Sequence, residues 1–260
     1  MKCKICQADS DFFAKETILQ RHLISYFRCT RCGFIQTEEP FWLAEAYQTA
    51  INRSDVGLVQ RNLMLAKQAT VIISSWFDHR GKFVDFGGGY GLFTRLMRDR
   101  GYDFFRSDPH CENLFARGFD AENDGKGSYE LLTAFEVFEH LANPLGEVER
   151  MLSYSSSILF STELLPVPVP RPEAWWYYGL DHGQHISFYT TASLQTIAHR
   201  FNLRLYSNGS SLHLLTPGKI MPCVFALMSR YSAARLIDAL LPKRPLTAAD
   251  YKAITGREPF

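Results

Sequence analysis

Hydrophobic positions along the chain alternate between the period of a helix and the period of a strand. Between residues 54 and 76, apolar side chains recur at helical spacing, with Ser54 as the expected N-cap. The next segments are strand 82–86, helix 91–100, strand 103–107, a short helix at 111–116, strand 129–134, helix 144–153 and strand 156–162. This alternation predicts an α/β fold with a doubly wound, mostly parallel sheet.

The pattern changes after residue 162. Residues 163–190 contain four prolines and an aromatic run, so we expect this segment to form a lid. A helix at 191–200 comes next, and then two alternating stretches flank Asn208-Gly209, which predicts an antiparallel hairpin at the end of the sheet. Residues 218–260 should form a helical extension whose amphipathic face packs on the domain or serves as a homodimer contact.

A glycine-rich loop joins the strand 82–86 to the next helix. Gly87, Gly89 and Gly91 let the backbone turn tightly and approach a ligand near helix N-terminal amides. A dinucleotide fingerprint would need glycine where Leu92 stands, so the spacing disfavours that class. Asp108 ends the following strand and can accept both hydroxyls of a ribose. The pattern indicates a nucleoside site, and the alternative is a structural loop with Asp108 capping a turn.

From about residue 54 to residue 217, the chain resembles the class I S-adenosylmethionine-dependent methyltransferases, in particular their small-molecule branch. The motifs that carry the resemblance are VDFGGGYG at 84–91, Asp108, LLTAFEVFEHLANP at 131–144 and GQHISFYTTASL at 183–194. The resemblance implies a Rossmann-like sheet of seven strands, with a short third strand at 117–119. It also implies that S-adenosylmethionine is the cofactor.

The resemblance assigns cofactor binding to Asp85, Gly87, Gly89, Gly91, Asp108, Asp120, Phe135 and Glu136. In this assignment Asp85 orients the methionine end and Asp108 holds the ribose. Asp120 contacts the adenine, with Ala121 and Glu122 as equally open alternatives. Many relatives have cysteine at the position of Gly88, a difference that should leave binding intact.

Composition and charge narrow the functional classes. The chain has 260 residues, of which 46% are hydrophobic and 14% aromatic, so a disordered protein is excluded. With a net charge of +1, it has no field that would attract nucleic acid or an anionic membrane, and we expect neither partner. The N-terminal residues lack a signal-like apolar segment, and no apolar run reaches about 18 residues, so we expect a cytoplasmic protein.

Two histidines are candidates for acid-base chemistry. His182 and His185 come after the aromatic run, and either could act as general base; the alternative is that one fastens the lid to the sheet. We expect His140 to support its loop, whereas Glu136 either binds the methionine part or caps helix 144–153. The rings expected to contact the acceptor, or only to pack as a lid, are Trp175, Trp176, Tyr177 and Tyr178.

Residues 1–39 form a separate module in this interpretation, because two CxxC pairs occur there. Cys3 and Cys6 form one pair, and Cys29 and Cys32 form the other. Four thiolates complete a tetrahedral zinc site, so the predicted zinc ribbon is structural. Redox or uncoordinated CxxC turns are the alternative.

The interpretation with most support is a methyltransferase that modifies a small, carbohydrate-derived acceptor. Methyltransferases of sugar nucleotides, and some of ribosomal RNA bases, resemble this chain in having such a module before a domain like that at 40–217. Residues 1–39 contain six basic and five acidic residues, and phosphate-backbone binding would favour more basic ones. The competing hypotheses are an RNA base methyltransferase and a non-catalytic binding protein of the same fold.

Overall fold

The computed structural model describes residues 1–47, 55–125 and 128–259. The strands are β1 (Ser10–Ile18), β2 (His22–Cys29), β3 (Ile35–Thr37), β4 (Lys82–Phe86), β5 (Asp103–Ser107), β6 (Leu131–Ala134), β7 (Ile158–Ser161), β8 (Ser187–Phe188), β9 (Arg204–Ser207) and β10 (Leu212–Thr216). The helices are α1 (Leu43–Ala46), α2 (Leu58–Trp76), α3 (Leu92–Arg98), α4 (Pro144–Leu152), α5 (Thr191–Arg200), α6 (Pro222–Met228), α7 (Tyr231–Leu240) and α8 (Thr247–Thr255). Ser54, the expected N-cap, lies outside the described residues.

These strands form two sheets. One has the order β1-β2-β3-β8, and the other has the order β5-β4-β6-β7-β10-β9. In the larger sheet, β4 pairs in parallel with both β5 and β6, whereas β9 and β10 form an antiparallel hairpin. The predicted fold class is therefore confirmed, including the terminal hairpin at Asn208-Gly209. The sheet has six strands in the described part of the chain, where the resemblance implied seven.

The missing strand is the short third one. Residues 117–119 lead into a single parallel bridge between Arg106 and Asp120. Gly118 has a φ of +87°, so the backbone is not extended before the bridge. Immediately after it, the amide of Asn123 donates to the carbonyl of Asp120 and turns the chain away. The strand thus ends after one residue.

The helix predicted at 111–116 is wrong, because these residues form bends and irregular backbone. Asn113 supplies the reason: its Oδ1 accepts from the amide of Ala116 at 2.9 Å, and its Nδ2 donates to the Ala116 carbonyl at 2.7 Å. The carbonyl of Tyr90 accepts from the amides of Leu114 and Phe115. These bonds satisfy backbone groups that a helix would otherwise use.

Contacts divide the chain into two compact units, and the first contains residues 1–52, 136–150 and 160–218 where they are described. Its smaller sheet is completed by β8, which pairs with β3 so that Phe188 lies opposite Ile35. Alternate residues of β2 point inward, and Ile24 and Tyr26 pack with Tyr178 in its core. The boundaries near residues 39 and 217 remain a prediction.

The second unit contains residues 53–135, 151–159 and 219–260 where they are described. Helix α2 buries one face, and its Gln68 side chain donates to the carbonyl of Ser229 at 2.6 Å. The ring of Trp76 packs against Phe225 of α6. Within residues 218–260, where the sequence predicts helices, the chain forms α6 and α7 here. Within the described ranges, no helix is long and apolar enough to cross a membrane.

A buried ion-pair network fixes α8, which lies within residues 218–260, where the sequence predicts helices. Asp250 accepts from Arg98 at 2.7 Å and 2.9 Å, and from Arg95 at 2.8 Å. Arg98 also donates to Asp103 at 2.6 Å. Burial alone would raise the pKa of Asp250, but the bonds from the two arginines lower it overall.

Replacing Asp250 by asparagine should therefore destabilise the protein. We expect the free energy of unfolding to fall by about 3 kcal/mol, because Arg98 would be left buried without its main counter-charge. In the wild type, this contribution should be present above about pH 4 and be lost as the pH falls through the lowered pKa.

Urea denaturation of wild type and variant measures the change. Asp99→Asn is the matched control, since Asp99 pairs with the same Arg95 but is 47% exposed. Its expected cost is about 0.5 kcal/mol. Equal losses in the two variants would contradict the prediction.

Candidate functional site

The glycine loop leads from β4 into α3 in the second unit. Gly87, Gly89 and Gly91 all have positive φ, at 68°, 53° and 83°. A Cβ on Gly91 would lie 2.5 Å from Oδ1 of Asn113, so a side chain is excluded there by contact as well as by conformation. A Cβ on Gly89 would meet no atom of the described residues within 4 Å. The loop therefore has open space beside Gly89.

Asp85 lies under this loop at the end of β4. Its side chain is buried, and its Oδ1 accepts from the hydroxyl of Thr133 on β6 at 2.8 Å. Burial raises the pKa of Asp85 to about 7, with nearby Asp108 adding to the effect. A Cβ on Gly88 would lie 2.6 Å from Oδ2 of Asp85, so a larger residue at 88 requires this carboxylate to move.

Asp108 connects the end of β5 to the glycine loop. Its Oδ2 accepts from the amide of Gly89 at 2.8 Å. Its Oδ1 accepts from the amides of His110 and Cys111 at 2.8 Å and 3.2 Å. The structure therefore brings together the two features that indicated a nucleoside site, the glycines and the acidic residue.

Asp120 is held by side chains of the same unit. Its Oδ1 accepts from Nη1 of Arg106 at 2.9 Å, and both carboxylate oxygens accept from Nδ2 of Asn113 at 3.1 Å. The open alternative Glu122 accepts from the hydroxyl of Ser107 at 3.3 Å. Asp120 and Glu122 thus remain candidates for contact with the adenine, each with partners in the protein.

Phe135 and Glu136 are neighbours in sequence and belong to different units. In the second unit, the ring of Phe135 packs edge to face with Phe93, with centroids 4.8 Å apart. In the first unit, Glu136 has a φ of +55°, which is strained for a residue other than glycine. The hydroxyl of Ser161 accepts from the Glu136 amide at 2.7 Å and donates to its carboxylate at 2.6 Å.

The first unit gathers a cluster of histidines. The ring of His185 lies 4.8 Å from His182 and 4.9 Å from His140, measured between centroids. Nδ1 of His185 lies 2.6 Å from the carbonyl of Tyr177. A carbonyl only accepts, so Nδ1 carries the hydrogen, and in the neutral ring Nε2 keeps the lone pair. His185 is therefore in the tautomer in which Nε2 can take up a proton.

His140 contacts two other segments of the first unit. Its Nδ1 lies 2.8 Å from the hydroxyl of Tyr47 and 3.1 Å from the carbonyl of Gln184. Burial lowers the pKa of His140 to about 4, so the ring is neutral at pH 7. Glu139 is fully buried, and one ligand atom each of Glu139, His140 and His185 lie within 4.8 Å of one another.

The aromatic run divides into buried and exposed rings. Tyr177 and Tyr178 are buried, whereas Trp176 is 75% exposed. The hydroxyl of Tyr177 lies 3.1 Å from that of Thr162 and accepts from the amide of Glu163 at 3.0 Å. The tyrosine pair therefore packs in the core of the first unit, and the tryptophans are the more accessible members of the predicted lid.

The four cysteines of residues 1–39 converge. Sγ of Cys3 lies 3.7 Å from that of Cys32, and Sγ of Cys6 lies 3.3 Å from that of Cys29. Ligands at about 2.3 Å around a tetrahedral zinc stand about 3.8 Å apart, so the set fits such an ion. Cys3 and Cys32 share one proton across their hydrogen bond, which lowers the pKa of the Cys3 thiol to about 5 and raises that of the Cys32 thiol.

Sequence reasoning missed several residues of these sites. Arg106 lies in a strand, where a charged residue is usually taken as an exposed position, but it is buried. Tyr47 and Gln184 contact His140 across long stretches of sequence. The only signal was the GQH motif, which the resemblance singled out without assigning a role to its glutamine.

Comparison with known proteins identifies the family. Residues 60–208 match the family described as a methyltransferase domain, which is more than half of the chain. The chain therefore belongs to this family, and the predicted membership of the methyltransferases is confirmed. No curated protein sequence matches the chain.

The chain is also similar to several solved structures. TnmH is 19% identical, with 69% of this chain and 62% of that chain covered and a TM-score of 0.47. The plantazolicin methyltransferase BpumL, in complex with SAH, is 14% identical over 68% of this chain and 93% of its own, with a TM-score of 0.49. Human N-acetylserotonin methyltransferase, in complex with SAM, is 16% identical over 68% and 66%, with a TM-score of 0.42. The chain spans less than two thirds of TnmH.

Proposed function

We propose that this protein transfers a methyl group from S-adenosylmethionine to a small, sugar-derived acceptor. The observation that carries the proposal is the bond between the carboxylate of Asp108 and the amide of Gly89, within a methyltransferase-family domain. This bond sets an acidic group beside a loop with open space at Gly89, an arrangement suited to a ribose and its attached chain.

The protein's part in the reaction is mainly alignment. S-adenosylmethionine supplies an electrophilic methyl group when bound. Asp108 would accept the ribose hydroxyls through its remaining lone pairs, and Asp85 would face the cationic methionine end. Gly87 and Gly91 keep the loop in its positive-φ conformation. The glycine loop and Asp108, together called the cofactor cradle, are thus preorganised before binding.

His185 is the better of the two candidate bases. Its Nε2 has the lone pair needed to take a proton from an acceptor hydroxyl or an acidic carbon. His182 is the second candidate, and its Nδ1 accepts from the amide of Gln184 at 3.1 Å. The protonated form of His185 would be stabilised through its Nδ1 bond to the Tyr177 carbonyl.

The acceptor would lie beneath the exposed aromatic residues of the segment 163–190. Trp175 and Trp176 are the accessible rings there, and such rings stack on the apolar faces of sugars and planar groups. The net charge of +1 supports a small acceptor over a polyanionic one.

The remaining proposals concern organisation. We infer a structural zinc at the four cysteines, a module at 1–39, a methyltransferase domain at 40–217 and a C-terminal extension. Leu236 and Leu240 of α7 are 66% and 86% exposed, which supports the predicted homodimer contact. A cytoplasmic location remains an expectation from the sequence.

The ribose assignment predicts that Asp108→Ala weakens S-adenosylmethionine binding at least tenfold. The variant loses the hydroxyl acceptor and also frees the amide of Gly89 from its partner. Calorimetric titration with S-adenosylmethionine and with its demethylated product measures the change.

The matched control is Glu112→Ala, an exposed acid of the same loop that pairs only with the exposed Arg117 in the described chain. It should bind like wild type. Failure of the wild type to bind would refute the proposed function, whereas unchanged affinity in Asp108→Ala would refute only the ribose assignment.

Because burial raises the pKa of Asp85 to about 7, cofactor affinity should depend on pH. The ionised carboxylate favours the cationic methionine end, so affinity should rise between about pH 6 and about pH 8 and binding should release a proton. The stability of the cofactor-free protein should depend on pH in the opposite direction. A folded pKa above the ordinary value of about 3.9 makes the contribution of Asp85 to stability decrease as the pH rises from about 4 to about 7.

Titrations at several pH values, in buffers of different ionisation enthalpy, measure affinity and proton release together. Asp85→Asn should remove the pH dependence in this range. An affinity of the wild type that is the same at pH 6 and pH 8 would be inconsistent with the role given to Asp85.

Metal analysis should find about one zinc per chain. Cys29→Ser should lose the zinc and lower the melting temperature, because three thiolates hold the ion more weakly. Cys223→Ser, which changes an exposed cysteine outside the cluster, should retain it. A wild-type protein that is metal-free and fully folded would contradict a structural zinc site.

A further inference from the structure

We propose that Arg106 is the positioning residue that holds the glycine loop and both acidic turns in their cofactor-binding arrangement. This inference rests on the proposed function and concerns a residue to which neither the sequence nor the resemblance assigns a ligand contact. In this inference, one guanidinium aligns three separate segments of the second unit.

The bonds of Arg106 reach each of these segments. Nε donates to the carbonyl of Gly89 at 2.5 Å, and Nη1 donates to Oδ1 of Asp120 at 2.9 Å. Nη2 donates to the carbonyl of Asp108 at 3.2 Å and also to that of Cys111. The backbone of Arg106 pairs with the third-strand segment, accepting from Ala121 and donating to Phe119, both at 2.8 Å.

Gly89 is thereby held from both sides. Its amide donates to the Asp108 carboxylate, and its carbonyl accepts from Arg106. A peptide with positive φ and no side chain has no packing of its own to fix it, so these two bonds set its orientation. The orientation of Gly89 in turn determines which part of the loop lines the open space beside this residue.

Only arginine can make this set of contacts. The planar guanidinium offers five donors in a fixed fork, whereas a lysine ammonium is a single point donor on a flexible stem. The side chain is only 5% exposed. Its buried positive charge is compensated by the carboxylate of Asp120 and by the carbonyl oxygens around it. Loss of the fork would release several segments together.

A purely structural role would predict a different outcome, and Arg98 provides the comparison. Its side chain is also 5% exposed and also bonds carboxylates, those of Asp250 and Asp103. Its remaining side-chain hydrogen bond goes to the carbonyl of Phe104 within β5, and its guanidinium stacks on the ring of Phe119, so it makes no hydrogen bond to the glycine loop in the described chain. Removing either arginine should destabilise the second unit. Only removal of Arg106 should alter the cofactor cradle.

The experiment compares Arg106→Lys, Arg106→Gln and Arg98→Gln with wild type. Melting temperature reports stability, and calorimetry reports the dissociation constant for S-adenosylmethionine. We expect both Arg106 variants to bind at least tenfold more weakly, with lysine restoring part of the melting temperature but not the affinity. Arg98→Gln should lose a comparable part of the melting temperature and bind within twofold of wild type.

Amide hydrogen exchange without cofactor provides a second measurement, independent of the proposed function. In Arg106→Lys, the amides of Gly89, His110 and Cys111 should exchange at least tenfold faster, while those of α2 stay unchanged. If wild type fails to bind S-adenosylmethionine, the proposed function is wrong and this exchange pattern still tests the positioning role. Wild-type affinity or wild-type exchange in Arg106→Lys would overturn the inference, as would failure of both Arg106 variants to fold.

Discussion

The bond between the Asp108 carboxylate and the Gly89 amide is the contact on which the candidate cofactor site depends. Its basis is the register of the sheet, because Phe86 lies opposite Ser107 in the parallel pair of β4 and β5. Both strands therefore end at the same level, so the loop after β4 and the turn after β5 meet at one edge. In that loop, the amides of Gly87 and Gly91 donate to the carbonyls of Ser107 and Gly88, and the Asp108 carboxylate at that edge accepts from the amide of Gly89.

A similar dependence on packing governs the first unit. Tyr177 buries its ring in the core, and its carbonyl fixes the tautomer of His185. Tyr178 packs against Tyr26 of the small sheet, with ring centroids 5.5 Å apart. Within the aromatic run, Tyr177 thus positions His185, whereas Trp176 is exposed. Because the rings of Tyr177 and Tyr178 are buried, they fix the position of the backbone beside them.

Much of the sheet can be predicted from the sequence, because its signals are local. Strand 82–86, the glycines after it and the Asn208-Gly209 hairpin each depend on periodicity or turn chemistry within a few residues. The absent helix at 111–116 depends on one side chain, Asn113, which bonds backbone groups that a helix would use. The bonds of His140 to Tyr47 and Gln184 join distant residues, and no local pattern encodes them.

The segment between β5 and β6 has a further physical consequence. Here the third strand that the resemblance implied is reduced to one bridge. Side chains bond the backbone instead: Asp108 and Asn113 accept from amides, and Arg106 donates to carbonyls. A backbone ladder tolerates most substitutions, since its bonds do not depend on side-chain identity. A cradle held by side chains does not tolerate substitutions in this way, because a single substitution removes one or more of its hydrogen bonds. A few polar residues therefore set the geometry of this cradle. Substituting one of them would alter the cradle without changing the register of β4, β5 and β6.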